Sequence, residues 1–514
     1  MRKYFKILAF ILVVVLTLGC FTSCGKEGGH KKIKGLLEDY DYYVIRNKQT
    51  GLVMAANDFA LSESSMVVMR KYDKKEQDLS MIWRAVAVDK SSYYLQNMAT
   101  EERYLTVKKN SNKNGALMCL ESKKDHDGQI FELEADEASK NDISYRVFSR
   151  LTDFALEPQD GIKDVETKVI QNYLPYNDSV DYQVWEFEKV GDGDIKLPQM
   201  LSLKGDTKNW SCPEIYNFNG TYYSFVMLGG IVIRSSTDLR DWKRVGSVFP
   251  ETQCYDWMKD PQQGVPGGSI WAPGIYKIGD TYCVYYCIST SGSQHSLIGL
   301  ATNTTLDPKD KDYKWEDRGC VIHSYEGDNY NAIDPNIIID KNGQPWLVYG
   351  SYWSGIKMRK IDPDTLMLDA EDTKVYSISA AQKRNGPEAG YMIRKDDYYY
   401  LFNACGSFST GYWNGVGRSK NVTGPFIDAD GKDMMYEGAT PVNSYRDGFE
   451  KIGHSSVLTE KDGTMYHVTE YFRTYDDGKS SPSLIGISEM LWTEDGWPVT
   501  ATTPGVLNLL SKKK

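Results

Sequence analysis

From about residue 199 onward, one pattern of polar and apolar positions returns five times with a period of roughly 60 residues. Each unit has a turn-like start, an apolar strand, a polar pair suited to a tight turn, and a Tyr-rich returning strand. The starts are Cys212-Pro213-Glu214-Ile215, Ala272-Pro273-Gly274-Ile275, Asp334-Pro335-Asn336-Ile337, Glu388-Ala389-Gly390-Tyr391 and His454-Ser455-Ser456-Val457. The turn pairs are Asn219-Gly220, Gly279-Asp280, Asn342-Gly343, Asp396-Asp397 and Asp462-Gly463, the chemistry that short hairpins demand. Five such units predict the five blades of a propeller, whose radial repetition of small sheets leaves few exposed edges. Equivalent residues then ring the axis, so Cys212, Ala272, Asp334, Glu388 and His454 are expected to converge on a central cavity. Only polar chemistry justifies Asp, Glu and His in such a place.

A second repeat precedes it. Between about Tyr40 and Val190, three units of roughly 50 residues each open with an aromatic strand and close on a bulky aromatic. The openings are Tyr42-Tyr43-Val44-Ile45, Tyr93-Tyr94-Leu95-Gln96 and Tyr145-Arg146-Val147-Phe148; the closings are Met81-Ile82-Trp83, Gln129-Ile130-Phe131 and Gln183-Val184-Trp185. The closings resemble the Gln-x-Trp ends of the repeats in ricin-type β-trefoil lectins. In a trefoil Trp83, Phe131 and Trp185 pack in the core, and sugar contacts fall to loops that the sequence does not single out. The expected fold class is therefore all-β. A β-trefoil of implied carbohydrate-binding role spans residues 36–190, a Gly-, Asp- and Pro-containing linker runs from about 191 to 198, and a five-bladed β-propeller spans 199–510.

The first residues decide the compartment. Met1, Arg2, Lys3 and Lys6 precede an apolar run, Ile7 to Leu18, too short to cross a bilayer, so residues 1–24 read as a secretory signal. Gly19-Cys20 and Ser23-Cys24 each set a small residue before a Cys, which resembles a bacterial lipobox and implies a lipid on Cys20 or Cys24. Residues 25–35, rich in Gly and Lys, read as a flexible tether. The protein is expected at the bacterial cell surface or outside the cell, touching the membrane through a lipid anchor only.

Seven cysteines remain beyond the signal, with no framework spacing and no C-x-x-C pair, so neither a disulfide scaffold nor a zinc site is expected. A net charge of −10 without a basic stripe excludes nucleic acid. The 36 Tyr and 12 Trp suit carbohydrate, because an aromatic ring stacks on the C–H face of a sugar. The expected partner is a polysaccharide or oligosaccharide substrate, and the protein is expected to act as a monomer.

Several runs carry a family resemblance. Ser269-Ile270-Trp271-Ala272-Pro273, Asn331-Ala332-Ile333-Asp334-Pro335-Asn336, Gly350-Ser351-Tyr352-Trp353-Ser354-Gly355-Ile356 and Gly453-His454-Ser455-Ser456-Val457 resemble glycoside hydrolase family 43, and within it the arabinanases. The resemblance implies an inverting hydrolase with three acids: an Asp base in the first blade, an Asp in the third that tunes the acid, and a Glu general acid in the fourth. It gives Asp334 the tuning role and Glu388 the acid role. His454 matches an axial His beside a metal ion, often calcium, reached mainly through water. Neighbouring negative charges fit the assignment, since Asp334 on the next blade raises the pKa of Glu388 and keeps it protonated for donation.

The first blade departs from the family. Where the family has His-Asp-Pro, this chain has Ser211-Cys212-Pro213, so the expected base is missing. Cys212 has no sequence-adjacent His to activate it, and an ordinary thiol pKa near 8.5 leaves it neutral. Glu214, two positions on and facing the same side, is the candidate stand-in, displaced by about 6 to 7 Å along the strand. Its alternative is a residue of the rim. Trp271 and Trp353 are candidate sugar platforms, with the core as their alternative.

Three functions compete. The first is hydrolysis of α-1,5-linked arabinan or its oligosaccharides, with xylan or arabinoxylan as the other substrates of such an enzyme. The second is a surface glycan-binding protein that keeps the fold without turnover, as the loss of Asp at 212 suggests. The third has the trefoil alone binding glycan while the propeller docks another protein.

Overall fold

The computed structural model describes residues 37–60, 64–100, 102–136, 143–173, 181–250, 255–380, 386–407, 411–444, 449–474 and 479–511. The signal segment, Cys20, Cys24 and the tether lie outside the described residues. The described chain is nearly all β: one 12-stranded sheet precedes a series of small sheets.

Six strands of the first sheet close on themselves. Tyr42–Asn47 pairs with Ile82–Ala87, and pairing continues through Ser92–Asn97, Phe131–Ala135, Ser144–Ser149 and Val184–Gly191 back to the start. The other six form three hairpins, Val53–Ala56 with Ser65–Arg70, Arg103–Val107 with Ala116–Ser122, and Ala155–Pro158 with Val169–Asn172. A closed six-strand barrel with three hairpins is the β-trefoil expected from the threefold pattern. Trp83, Phe131 and Trp185 are fully buried. The indole N–H groups of Trp83 and Trp185 donate to the equivalent carbonyls of Met54 and Leu156, each at 2.9 Å, so these rings are core as expected and their one polar atom is satisfied.

The propeller's blades begin with the innermost strands Ser211–Phe218, Ser269–Ile278, Asn336–Ile339, Glu388–Lys395 and Glu450–Thr459. Asn219 and Gly220 take φ of 52° and 87°, and Gly343 and Gly463 take 88° and 89°, the left-handed angles that made those turn pairs legible. Among the described residues, blades 2 to 4 have four strands each, whereas blade 5 has three. Its edge is covered by the segment entering blade 1. Leu201 N–H donates to the Ile487 carbonyl at 2.8 Å, and Glu489 N–H donates to that of Gln199 at 2.9 Å. Both ends of the propeller chain thus meet in one sheet and close the ring, which hides an edge that would otherwise pair with strangers.

The trefoil core runs on into propeller residues, among them Met200, Phe449, Ile452, Tyr471, Val506 and Leu507. Phe449 and Tyr471 stack there with centroids 3.9 Å apart. A trefoil cut out alone would expose this apolar face, so its sugar binding is to be tested in the whole chain.

Candidate active site

The innermost strands of blades 1, 2, 4 and 5 carry a bulge at the axial end, where two residues stand against one. The last pairs before it are Ser211 with Met227, Trp271 with Cys287, Glu388 with Ala404 and Gly453 with Glu470. In blade 3 the Gly350 N–H donates to the Ile333 carbonyl at the same level, at 2.9 Å. The residue that follows is left-handed in four blades: Cys212 (φ 50°), Asp334 (55°), Ala389 (49°) and His454 (38°). Such angles cost a non-glycine residue on the order of 1–3 kcal/mol and gather where function holds them.

This register corrects the sequence alignment in blade 4 by one residue. Ala389, not Glu388, lies level with Cys212, Ala272, Asp334 and His454. Gly390 matches Gly274 of blade 2 by residue type, but the pairing sets Tyr391 beside the level of Gly274 and Glu214, since these three face Phe402, Tyr285 and Phe225.

Glu388 nevertheless reaches the central cavity, a space of about 680 Å³, within the usual size of a ligand site. Cys212, Trp271, Asp334, Trp353, Glu388 and His454 all line it. Glu388 accepts hydrogen bonds on both oxygens, from Tyr412 Oη at 2.6 Å and Ser351 Oγ at 3.0 Å. Asp334 Oδ2 accepts from the Ala389 N–H at 3.1 Å. Burial raises both carboxyls above the ordinary range, and for Asp334 the charge of Glu388 adds to it. The pair therefore holds a proton where separate carboxylates would have lost theirs.

Glu214 does not line this cavity. It lies beneath it, against a void of about 20 Å³, with Oε2 accepting from the Ile275 N–H at 2.7 Å and Oε1 bonded to Tyr391 Oη at 3.1 Å. Its carboxyl, 4% exposed, is pushed up to about 8, chiefly by burial. A carboxyl with both oxygens engaged below the floor cannot meet a water above it, so the stand-in reading of Glu214 fails, and so does its alternative as a rim residue. Cys212 is no better as a base. Burial first and the charge of Glu470 second push its thiol well above the ordinary value, which leaves it neutral.

One acid of the cavity escaped the sequence reading. Glu470, in the second strand of blade 5 (Met465–Phe472), is 3% exposed and lines the cavity beside Cys212, whose N–H donates to its Oε2 at 3.1 Å. Strand alternation puts it on the face of Val468, which packs against Ile215, Val226 and Val232 of blade 1. The other blades put Met227, Cys287, Gly350 and Ala404 at this level. A lone Glu at a position otherwise apolar or small was the available signal.

Trp353 is 46% exposed at the cavity rim, and Trp271 is half-buried, its indole N–H donating to Ser269 Oγ at 2.8 Å. Trp353 stands clear of the core, whereas Trp271 packs in part against a buried cluster of blades 2 and 3 while still lining the cavity. His454 is partly exposed on the cavity wall, and loss of water holds its imidazole neutral, pushed down to about 4. Among the described residues no three His, Cys, Asp or Glu side chains come together around a common point for a metal. A calcium ion here would thus lean on His454 and on water, so no chemical step is routed through it.

A model of glycosyl hydrolases family 43 matches residues 202–498, which is most of the propeller and more than half of the chain. This chain belongs to glycosyl hydrolases family 43. As a member it is a glycosidase, which hydrolyses O-glycosyl bonds. A ricin-type β-trefoil lectin domain-like model matches residues 33–121, about the first two trefoil units.

The chain is 35% identical over 301 residues, 56% of its length, to the extracellular exo-α-(1→5)-L-arabinofuranosidase ArbA of Cellvibrio japonicus (strain Ueda107), covering 84% of that protein. It is 34% identical over 274 residues to the extracellular endo-α-(1→5)-L-arabinanase 1 of Bacillus subtilis (strain 168), 52% of this chain and 79% of that one. Among solved structures, the Cellvibrio cellulosa α-L-arabinanase complexed with arabinohexaose superposes with a TM-score of 0.53 at 32% identity, over 57% of this chain and 96% of that one.

Proposed function

We propose that the propeller hydrolyses α-1,5-linked arabinan or arabino-oligosaccharides with inversion, Glu388 acting as general acid and Asp334 keeping it protonated. The observation that carries the reading is the buried Asp334–Glu388 pair at a sugar-sized cavity, both carboxyls raised above the ordinary range. The named activities of its relatives favour arabinan over xylan. Trp271 and Trp353 serve as the stacking surfaces for the sugar chain. Reducing sugar released from debranched arabinan, and lost in Glu388→Gln, tests the proposal. Silence on arabinan, xylan and arabinoxylan alike would end it.

Cys212 favours a second reading, a surface protein that binds glycan and does not turn it over. It predicts saturable binding of arabino-oligosaccharide by the whole chain with no product, and product release by the wild type rules it out.

Two features extend the proposal. Calcium bound beside His454 stabilises the folded chain by about 2.7 kcal/mol at a hundredfold excess over its Kd; an unchanged Tm on moving from calcium to EDTA removes the ion. A lipid on Cys20 or Cys24 tethers the protein to the bacterial surface. Fatty-acid labelling is then lost in Cys20→Ala or Cys24→Ala, and labelling of neither wild type nor variant removes the anchor.

A further inference from the structure

The hydrolase reading leaves one group unaccounted for. Inversion needs a carboxylate to draw a proton from the attacking water, and the first blade supplies only a neutral thiol at that place. The last blade supplies a carboxyl instead. Glu470 reaches across the seam where blade 5 meets blade 1, close enough to take the Cys212 N–H at 3.1 Å and a hydrogen bond from the Ser211 side chain. Its carboxyl thus stands beside the backbone of the very residue whose side chain is missing from the chemistry.

We propose that Glu470 is the general base of this enzyme, replacing in space, from the neighbouring blade, the carboxylate that Cys212 lacks. This rests on the hydrolase reading above.

Three observations carry it. Glu470 and Glu388 line one cavity, yet their hydrogen-bond partners are separate: Tyr412 and Ser351 for Glu388, the Cys212 amide and Ser211 for Glu470. Different partners hold the two carboxyls at separate places on one cavity, the arrangement by which an inverting pair admits a water. Second, the Cys212 N–H and Ser211 fix the carboxylate, so it waits in position rather than being drawn there. Third, the position is apolar or small in the other four blades, and a carboxyl placed in so buried a site without a chemical task is a cost with no return.

The step balances. The Glu470 carboxylate takes a proton from water as the water oxygen bonds to the anomeric carbon. The glycosidic C–O bond breaks, its electron pair goes to the leaving oxygen, and that oxygen takes the proton of Glu388. Glu470 ends protonated and Glu388 ionised, and exchange with solvent restores both.

The test compares Glu470→Gln with wild type on debranched arabinan. Loss of a positioned base lowers kcat by about 10²–10⁴-fold with KM little changed. Azide then restores turnover and yields the glycosyl azide of inverted configuration, because the anion needs no base; adding Cys212→Asp to Glu470→Gln restores part of the hydrolysis. Full kcat in Glu470→Gln, with an active wild type, overturns the base and leaves the hydrolase standing. A wild type inactive on arabinan, xylan and arabinoxylan overturns both.

The wild type alone gives an independent reading should the variant fail to fold. Cys212, Asp334, Tyr352, Glu388, Tyr412 and His454 are the titratable groups that share the cavity wall with Glu470. Burial first, and the charge of Glu388 as well, push its carboxyl up to about 8. A base works when ionised, so kcat/KM rises with pH through its pKa, and the acidic limb is expected above the roughly 4.3 of an ordinary glutamate. With EDTA present, so that no cation beside His454 favours the carboxylate, a limb at or below that value overturns the assignment.

Discussion

Glu388→Gln is expected to lower kcat on debranched arabinan by about 10²–10⁴-fold while changing stability by less than about 1 kcal/mol. The amide has the shape of the protonated acid and can still meet Ser351 and Tyr412, which hold the native side chain at 3.0 and 2.6 Å. What it lacks is a proton to give. A sugar hydroxyl leaves poorly as an alkoxide, so the deficit falls on the natural linkage. An aryl arabinoside with an acidic phenol needs no such help and is expected to lose far less. The alkaline limb of the pH profile should vanish with it, since activity falls with rising pH as the acid loses its proton. Equal losses on natural and activated substrates would mean that Glu388 holds the sugar and does not protonate it.

The place of Glu388 on the cavity was legible in the sequence because it opens the fourth repeat, and so was the ring, because Asn219-Gly220, Asn342-Gly343 and Asp462-Gly463 announce their hairpins by type. Register was not legible in the same way. Gly390 looks like Gly274, and only the pairing of Tyr391 with Phe402 shows that the bulge sets them one residue apart. The depth of Glu214 followed from the same feature. Alternation along an ideal strand puts it on the cavity side, but the bulge after Ser211 and the left-handed Cys212 break that alternation and drop it below the floor. Glu470 was hidden for a longer-range reason. Its meaning depends on blade 5 lying against blade 1, a contact between residues 258 positions apart, and no pattern local to either strand reports it.

The carboxyl beneath the floor makes the second large prediction: the wild type loses stability as pH rises from about 5 to about 8, and Glu214→Gln flattens that slope without loss of activity. The folded-state pKa of Glu214, about 8, lies above the ordinary 4.5. Between those values the folded protein holds a proton that the unfolded chain has released, so raising the pH favours unfolding. The contribution is whole below the unfolded pKa and lost as pH passes the folded one. At about 1.4 kcal/mol per unit, the loss is on the order of 4 kcal/mol. Glu470, also raised to about 8, and the Asp334–Glu388 pair have the same sign. His454 and His467, pushed down to about 4 and about 3, oppose it below the ordinary histidine pKa, so removing Glu214 lessens the slope without abolishing it.

Glutamine suits the site because it reproduces the protonated acid. Its carbonyl oxygen can accept from Ile275 N–H as Oε2 does at 2.7 Å, and its amide can donate to Tyr391 Oη, whose own hydrogen then goes to the Val457 carbonyl at 3.3 Å. Urea melts at pH 5, 6.5 and 8 read the slope, and arabinan hydrolysis reads kcat, expected within about threefold of wild type. A variant as crippled as Glu388→Gln would restore Glu214 to the chemistry and displace Glu470 from it. An unchanged slope would mean that the hydrogen bonds from Ile275 N–H and Tyr391 Oη, which favour the ionised carboxylate, offset its burial and leave it to ionise in the ordinary range.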